Sequence, residues 1–401
     1  MMLFASARRL PRSARSARSG RTIRARALAI ALSLMLAVTL VPPRAGAAPV
    51  PVDGEFTAAV VMDSATGEVL MQKDMHRSLP PASMIKMMTE LVVLEKIAAG
   101  ELTLADSVTV SGKAAKMGGS QVYLKDGEKF TVEELLMALT IHSANDAAAA
   151  LAEHVAGTTD AFVELMNARA GELGMKDSLF HSVHGLPPGR GQGEDRSSPY
   201  DMALLCRELL KHPESTRWAS LPEAPFRGGA FTLHSPNPLI GKFPGLDGMK
   251  TGYTEPAGFC LTATAKQKGG RLISVVMGCP KSRTRSDETA KLLTRGFTMY
   301  AQVKLVDSAQ KPLDERVRVS DGAARDLVVA YAKPLTVNVL KDRAGKVKLE
   351  NRLPKSVAAP VKVGAEIGKA VAVFDGQVLA EVPIVALEAV DRGSFWQRLI
   401  H

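Results

Sequence analysis

The sequence predicts an α+β fold: one antiparallel sheet covered by helices, interrupted by a helical insertion, and followed by a small all-β C-terminal domain. Three observations carry this. Phe56 to Asp63 and Glu68 to Lys73 flank Ser64-Ala-Thr-Gly67 and read as a β-hairpin with Gly67 in the turn. Far downstream, Phe259 to Ala265 and Arg271 to Met277 form two further β-rich runs, with mainly helical and loop patterns between the two pairs. Beyond about residue 303, short valine-rich segments (317–319, 327–331, 335–340, 347–349, 371–374 and 378–387) alternate with Gly, Pro, Asp and Lys turns, the pattern of a separate β unit.

The chain begins with nine arginines and no acid in its first 47 residues, a 15-residue apolar stretch at 27–41, and Ala45-Gly46-Ala47. A basic region, a short apolar core and an A-x-A site read as a signal peptide (1–47), and 15 residues are too few to span a bilayer. Without those arginines the formal charge of +10 falls to about +1. The basic balance belongs to the leader and gives no support to nucleic-acid binding. The remaining 354 residues suit two domains.

After the hairpin, Pro80-Pro-Ala-Ser83 precedes a run with Met84, Met87, Met88, Leu91, Val92 and Ile97 at helical spacing, closed by Gly100. A polar, turn-rich stretch follows to about residue 130. Thr131, with Glu134 three residues on, has the pattern of a capping box opening a helix to Leu139. The alanine run 147–150 predicts a closely packed helix ended by Gly157. Further helices are expected from Asp160 to Leu173, with Phe162, Leu165, Met166 and Leu173 on one face, and from Ser198 to Leu210. Pro187 to Gly193 is loop. A helix from Arg285 to Tyr300 follows the last sheet strand. The tail 392–401 carries Phe395, Trp396, Leu399 and Ile400 at helical spacing, too short and too weakly basic for strong membrane attachment.

Cys206, Cys260 and Cys279 make neither a disulfide scaffold nor a metal site, and no His/Cys/acid cluster suggests a metal or cofactor. With a turn near Lys268-Gly269, Cys260 and Cys279 miss register by about two residues. Their pairing stays open, with three buried thiols as the favoured reading.

Three short motifs carry the chemistry. Ser83-x-x-Lys86 sets a hydroxyl and an amine one turn apart at a helix start. Burial and nearby positive charge would lower the Lys86 pKa, so that its amine can take the serine proton. Ser143-Ala-Asn145 falls in a turn between helices, and Lys250-Thr251-Gly252 on a strand. Each occurs often by chance; the three in this order are specific. His142 adjoins the second motif without belonging to it, and His181, His184 and His234 have no acid at a spacing diagnostic of a Ser-His-Asp triad.

Together with Asp247-Gly-Met-Lys-Thr-Gly-Tyr-Thr254, Ser143-Ala-Asn-Asp146, His184-Gly-Leu186 and Arg285 with Lys291-Leu-Leu293, these motifs resemble the D-alanyl-D-alanine carboxypeptidases, the low-molecular-mass penicillin-binding proteins of the β-lactamase/transpeptidase-like superfamily. The resemblance covers residues 55–303 closely and the β-rich tail loosely. It implies a catalytic domain at 48–303, a β-rich domain at 304–391, and export to the periplasm or the outer face of the cytoplasmic membrane. It also implies a peptidoglycan stem pentapeptide as substrate, β-lactams as covalent inhibitors, and no cofactor. In the roles it implies, Ser83 is the nucleophile, Lys86 the base and Ser143 a proton relay, with Asn145 holding a substrate amide. The backbone of Ser83 and Tyr253 forms the oxyanion hole, and Lys250, Thr251 and Arg285 bind the terminal carboxylate, with Gly252 allowing close approach. Tyr253 stands where some relatives carry histidine. A class A β-lactamase would need a glutamate for deacylation, and Glu164 falls on an amphipathic helix too soon after Ser143. A D,D-endopeptidase or a wall-binding scaffold of the same family remain the rival readings.

Overall fold

The structure is a computed structural model and describes residues 49–267 and 270–394. The predicted leader, the 268–269 turn and the apolar residues of the tail lie outside the described residues.

The chain starts with a short strand β1 (Val50–Pro51), then the expected hairpin β2 (Ala58–Asp63) and β3 (Val69–Lys73). Gly67 closes it at φ +77°, in the left-handed region. A single 3₁₀ turn (Ala82–Ile85) leads into helix α1 (Lys86–Ala98), so Ser83 sits in the tighter turn and Lys86 is the first α-helical residue. The polar stretch that follows holds a small ladder of β4 (Ser107–Thr109) with β5 (Lys129–Thr131), too short to show alternation in the sequence. Helix α2 (Val132–Ile141) opens with the predicted capping box, in which Thr131 Oγ1 accepts from Glu134 N and Glu134 accepts from Thr131 N.

Helix α3 (Asn145–Ala156) is buried along its alanine run. Helix α4 (Thr159–Glu172) buries Phe162, Met166 and Ala170, whereas Leu165, expected on that face, is 37% exposed. The facing groove is filled one position away, by Met166 and Ala170. Helix α5 (Pro199–Leu209) is followed by α6 (Pro213–Ala219), started by Pro213 at its first position, and by the hairpin β6 (Glu223–Phe226) and β7 (Phe231–His234). The chain then returns to the sheet as β8 (Leu246–Thr254), β9 (Gly258–Gln267) and β10 (Gly270–Cys279), and packs α7 (Ser282–Thr298) on it. Arg285 thus lies one turn inside α7, which begins three residues before the expected start.

The sheet order is β1-β3-β2-β10-β9-β8, antiparallel except for the β1–β3 edge pair. One face packs Val60, Ile273, Val275 and Met277 against the helices of the insertion; the other packs Val61, Leu261 and Val276 against Leu292 and Leu293 of α7. Cys260 belongs to the first core and Cys279 to the second, because a bulge between Val276 and Cys279 shifts the register, and all three thiols are free and buried.

The remaining strands are β11 (Tyr300–Val306), β12 (Pro312–Ser320), β13 (Asp326–Tyr331), β14 (Leu335–Leu340), β15 (Lys348–Arg352), β16 (Ser356–Ala358), β17 (Glu366–Phe374) and β18 (Gln377–Ala386). β11 pairs with β14 and the others form a six-stranded sheet with its own core of Val317, Leu327, Val329, Ala370 and Ile384. Tyr300 donates to Asp63 at the end of β2, and Arg343 pairs with Glu68. Among the described residues no helix is long and apolar enough to cross a membrane.

Candidate active site

The 3₁₀ turn carrying Ser83 packs against β8 at the edge of the sheet and against the neighbouring β9. Lys86 Nζ donates to Ser83 Oγ (2.9 Å) and to the carbonyl of His184 (2.7 Å). Its side chain is fully buried, and its pKa is held well below the ordinary lysine value, first by burial and then by the charge of Lys250; Asp146 and Asp195 oppose this. An amine that sheds its proton readily and faces a hydroxyl oxygen is a competent base.

A second serine–lysine pair adjoins the first. Ser143, at φ +65° between α2 and α3, accepts at Oγ from Lys250 Nζ on β8 (2.8 Å). Lys250 also donates to its neighbour's carbonyl, Thr251 O (3.2 Å). Burial lowers its pKa to about 7, with Glu90 opposing and Arg285 reinforcing the shift. Two ammonium groups in one dry site repel each other, so the proton inventory of the site belongs to the pair.

Asn145 opens α3 without capping it; Ala144 holds the cap position. Its Nδ2 donates to Gly118 O (2.6 Å) and its backbone N to Ser120 O (2.7 Å), while Oδ1 is buried with no partner in the free protein. On β8, a Cβ at Gly252 would come within 2.6 Å of Pro81 O, so only glycine lets this strand lie against the Ser83 turn. Thr251 is buried, and Tyr253 stacks its ring on Phe259 at 4.2 Å. Arg285 is 4% exposed. It donates to Ser282 Oγ (3.2 Å) and Pro236 O (3.4 Å), leaves Nε unpartnered, and has no carboxylate partner among the described residues. It touches neither lysine directly, but its charge reaches Lys250.

Sequence reasoning missed the turn behind Ser83. Asp195 accepts from His181 N, Ser182 N and Ser182 Oγ (2.6, 2.9 and 2.6 Å), and Ser182 Oγ in turn accepts from Gly185 N (2.9 Å). This network shapes the turn that presents the His184 carbonyl to Lys86. The acid stands in a Gly/Pro-rich loop close to His184-Gly185-Leu186, the one available signal. His184 is pushed down to about 4 by burial and by Lys86, and accepts from Leu186 N at Nδ1. The histidine–acid pairs, His76 with Asp177 and His234 with Glu223, involve exposed imidazoles and do not include Ser83. Glu164 lies on the exposed side of α4. No cluster among the described residues could hold a metal ion.

Residues 46–281 match the family model described as D-alanyl-D-alanine carboxypeptidase, and residues 300–392 the model of the penicillin-binding protein 5 C-terminal domain. The chain is 37% identical over 345 residues to D-alanyl-D-alanine carboxypeptidase DacF of Bacillus subtilis, covering 85% of this chain and 87% of that one. It is 34% identical over 351 residues to DacC of Escherichia coli, covering 85% and 86%. Among solved structures, D-alanyl-D-alanine carboxypeptidase DacD from Francisella tularensis superposes with a TM-score of 0.61 at 30% identity, covering 88% of this chain and all of the other. Penicillin-binding protein D2 from Listeria monocytogenes in an ampicillin-bound form gives 0.56 at 33%, covering 61% and 98%.

Proposed function

The chain belongs to the D-alanyl-D-alanine carboxypeptidase family, and from that premise we propose how its residues remove the terminal D-Ala from peptidoglycan stem pentapeptides. The enzyme is a serine-type D-Ala-D-Ala carboxypeptidase, a penicillin-binding hydrolase. Lys86 accepts the proton of Ser83 Oγ as that oxygen attacks the carbonyl carbon of the penultimate D-Ala. Charge developing on the carbonyl oxygen is taken by the backbone N–H groups of Ser83 and Tyr253. Collapse breaks the peptide bond, and the proton that Lys86 took from Ser83 passes through the Ser143 hydroxyl to the departing amine, leaving Lys86 neutral again while the Lys250 ammonium stays on Ser143 Oγ. Neutral Lys86 then deprotonates the water that attacks the ester carbonyl and returns that proton to Ser83 Oγ as the ester bond breaks, which frees the acid product and restores Ser83.

Asn145 offers its buried, unpartnered Oδ1 to an amide N–H on the acyl side of the substrate. Lys250, Thr251 and the unpaired Arg285 receive the terminal carboxylate, because a buried guanidinium without a counter-ion is stabilised by an arriving anion. The observation that carries the reading is the adjoining pair of buried Ser–Lys contacts at 2.9 and 2.8 Å. We place the enzyme outside the cytoplasm after removal of residues 1–47, with weak or no membrane attachment through residues 392–401. Robust co-sedimentation of residues 48–401 with anionic vesicles would refute the latter.

The test is to incubate residues 48–401 with a pentapeptide ending in D-Ala-D-Ala and follow D-Ala release, with Ser83→Ala in parallel. Release by the parent and none by the variant is expected. A stable penicillin adduct at Ser83 without release would favour an endopeptidase or a scaffold.

A further inference from the structure

Tyr123 and Tyr253 stand out among the described residues as large aromatic side chains left in solvent, 65% and 55% exposed. Tyr253 follows Lys250-Thr251-Gly252 and is supported by Phe259. Tyr123 is held in a way that a surface turn does not need. Its φ is +56°, the left-handed region that a bulky L residue rarely adopts. The flanking N–H groups of Val122 and Leu124 both donate to the fully buried carboxylate of Asp146 (3.1–3.2 Å), the residue after Asn145. On the other side, Arg227 donates to the carbonyls of Tyr123 (2.8 Å) and Val122 (3.5 Å), is itself at φ +53°, and is paired with Glu128. The Tyr123 ring meets Phe231 edge-on at 6.3 Å.

A buried carboxylate and a paired arginine thus hold a strained backbone whose outward product is an exposed ring, on a loop that reaches Asn145 through Gly118 O and Ser120 O and its neighbour Asp146 through Val122 N and Leu124 N. Glycine or asparagine would make the same turn without strain, and burial would be the ordinary use of an aromatic side chain. Strain that persists because its surroundings over-determine it points to a contact with a ligand. Resting on the reading given above, the terminal carboxylate lies towards Lys250 and Arg285, and the acyl side of the substrate towards Asn145. We infer that Tyr123 is a specificity-determining residue, packing its ring against the side chain of the amino acid that precedes the D-Ala-D-Ala pair and favouring a long, largely aliphatic one. Covering such a chain with an aromatic ring removes apolar surface from water and stabilises the Michaelis complex and transition state alike, so the effect falls on KM.

The test compares D-Ala release from diacetyl-L-Lys-D-Ala-D-Ala and acetyl-Gly-D-Ala-D-Ala by the parent enzyme, Tyr123→Ala and Tyr123→Phe. Tyr123→Ala should raise KM about tenfold for the lysyl peptide with kcat unchanged, and stay within about twofold for the glycyl peptide, with Tyr123→Phe near the parent on both. Equal losses on the two peptides would make the ring a prop for the backbone, and no loss on either would make it a bystander; both overturn the inference. Release from neither peptide by the parent, with β-lactam acylation at Ser83 intact, would overturn the carboxypeptidase reading and the inference with it.

Discussion

Gly185 tests how tightly the proposed nucleophile, Ser83, is held from behind. It sits at φ +79°, and a Cβ built there would lie 2.1 Å from the carbonyl oxygen of Ala82, 2.4 Å from its carbon and 3.0 Å from Ser83 N, all backbone atoms. Heavy atoms do not approach a Cβ closer than 3.0 Å, so Gly185→Ala must move the Ser83 turn, the His184 turn or both by roughly 1 Å. A misplacement of that size costs on the order of 100-fold in a reaction that depends on a near-attack geometry. Overpacking adds about 1–3 kcal/mol of destabilisation, and the left-handed backbone about 1 kcal/mol more. Gly174 provides the control: its φ is +74° but nothing lies within 4 Å, so Gly174→Ala carries the backbone cost alone. The assay is the second-order rate of acylation by a chromogenic β-lactam, with Tm measured on the same samples. Gly185→Ala should acylate about 100-fold more slowly and melt several degrees lower, while Gly174→Ala keeps the parent rate. Acylation of Gly185→Ala within threefold of the parent at unchanged Tm would show that the turn is not what fixes Ser83.

Lys250→Gln removes the positive charge that helps hold the Lys86 pKa down, so that pKa should rise and the acid limb of acylation move to higher pH. With an acyl donor lacking a terminal carboxylate, the loss of rate should be larger at pH 6 than at pH 9; an unshifted limb would separate the two lysines electrostatically. Thr131→Ala deletes the capping box of α2 and should cost about 1 kcal/mol of stability with no change in acylation rate, read from denaturant midpoints. Burial pushes the thiols of Cys206, Cys260 and Cys279 well above their ordinary range, so a thiol reagent should find none in the native enzyme and three per chain in denaturant. One thiol in denaturant would mean that a disulfide had formed.

Sequence by itself determined the features whose partners lie within one turn of chain. Ser83 and Lys86 meet because a helical turn brings i and i+3 together, the capping box is a reciprocal contact over three residues, and Gly67, Gly100 and Gly157 end their elements through their own backbone freedom. Resemblance supplied the role expected of each motif. The short ladders β4–β5 and β6–β7 escaped notice because three- and four-residue strands show too little alternation, and Leu165 was misplaced because helical spacing marks a face only to within one position. Tertiary structure alone decided the rest. Ser143 and Lys250 are 107 residues apart in sequence and 2.8 Å apart in space, a bulge in β10 sends Cys279 to the opposite face from Cys260, and Asp195 and Asp146 shape the turns behind Ser83 and around Tyr123 through backbone N–H groups. A backbone donor has the same chemistry at every residue except proline, so nothing in the sequence marks which N–H a buried carboxylate will find; only the packed chain chooses it.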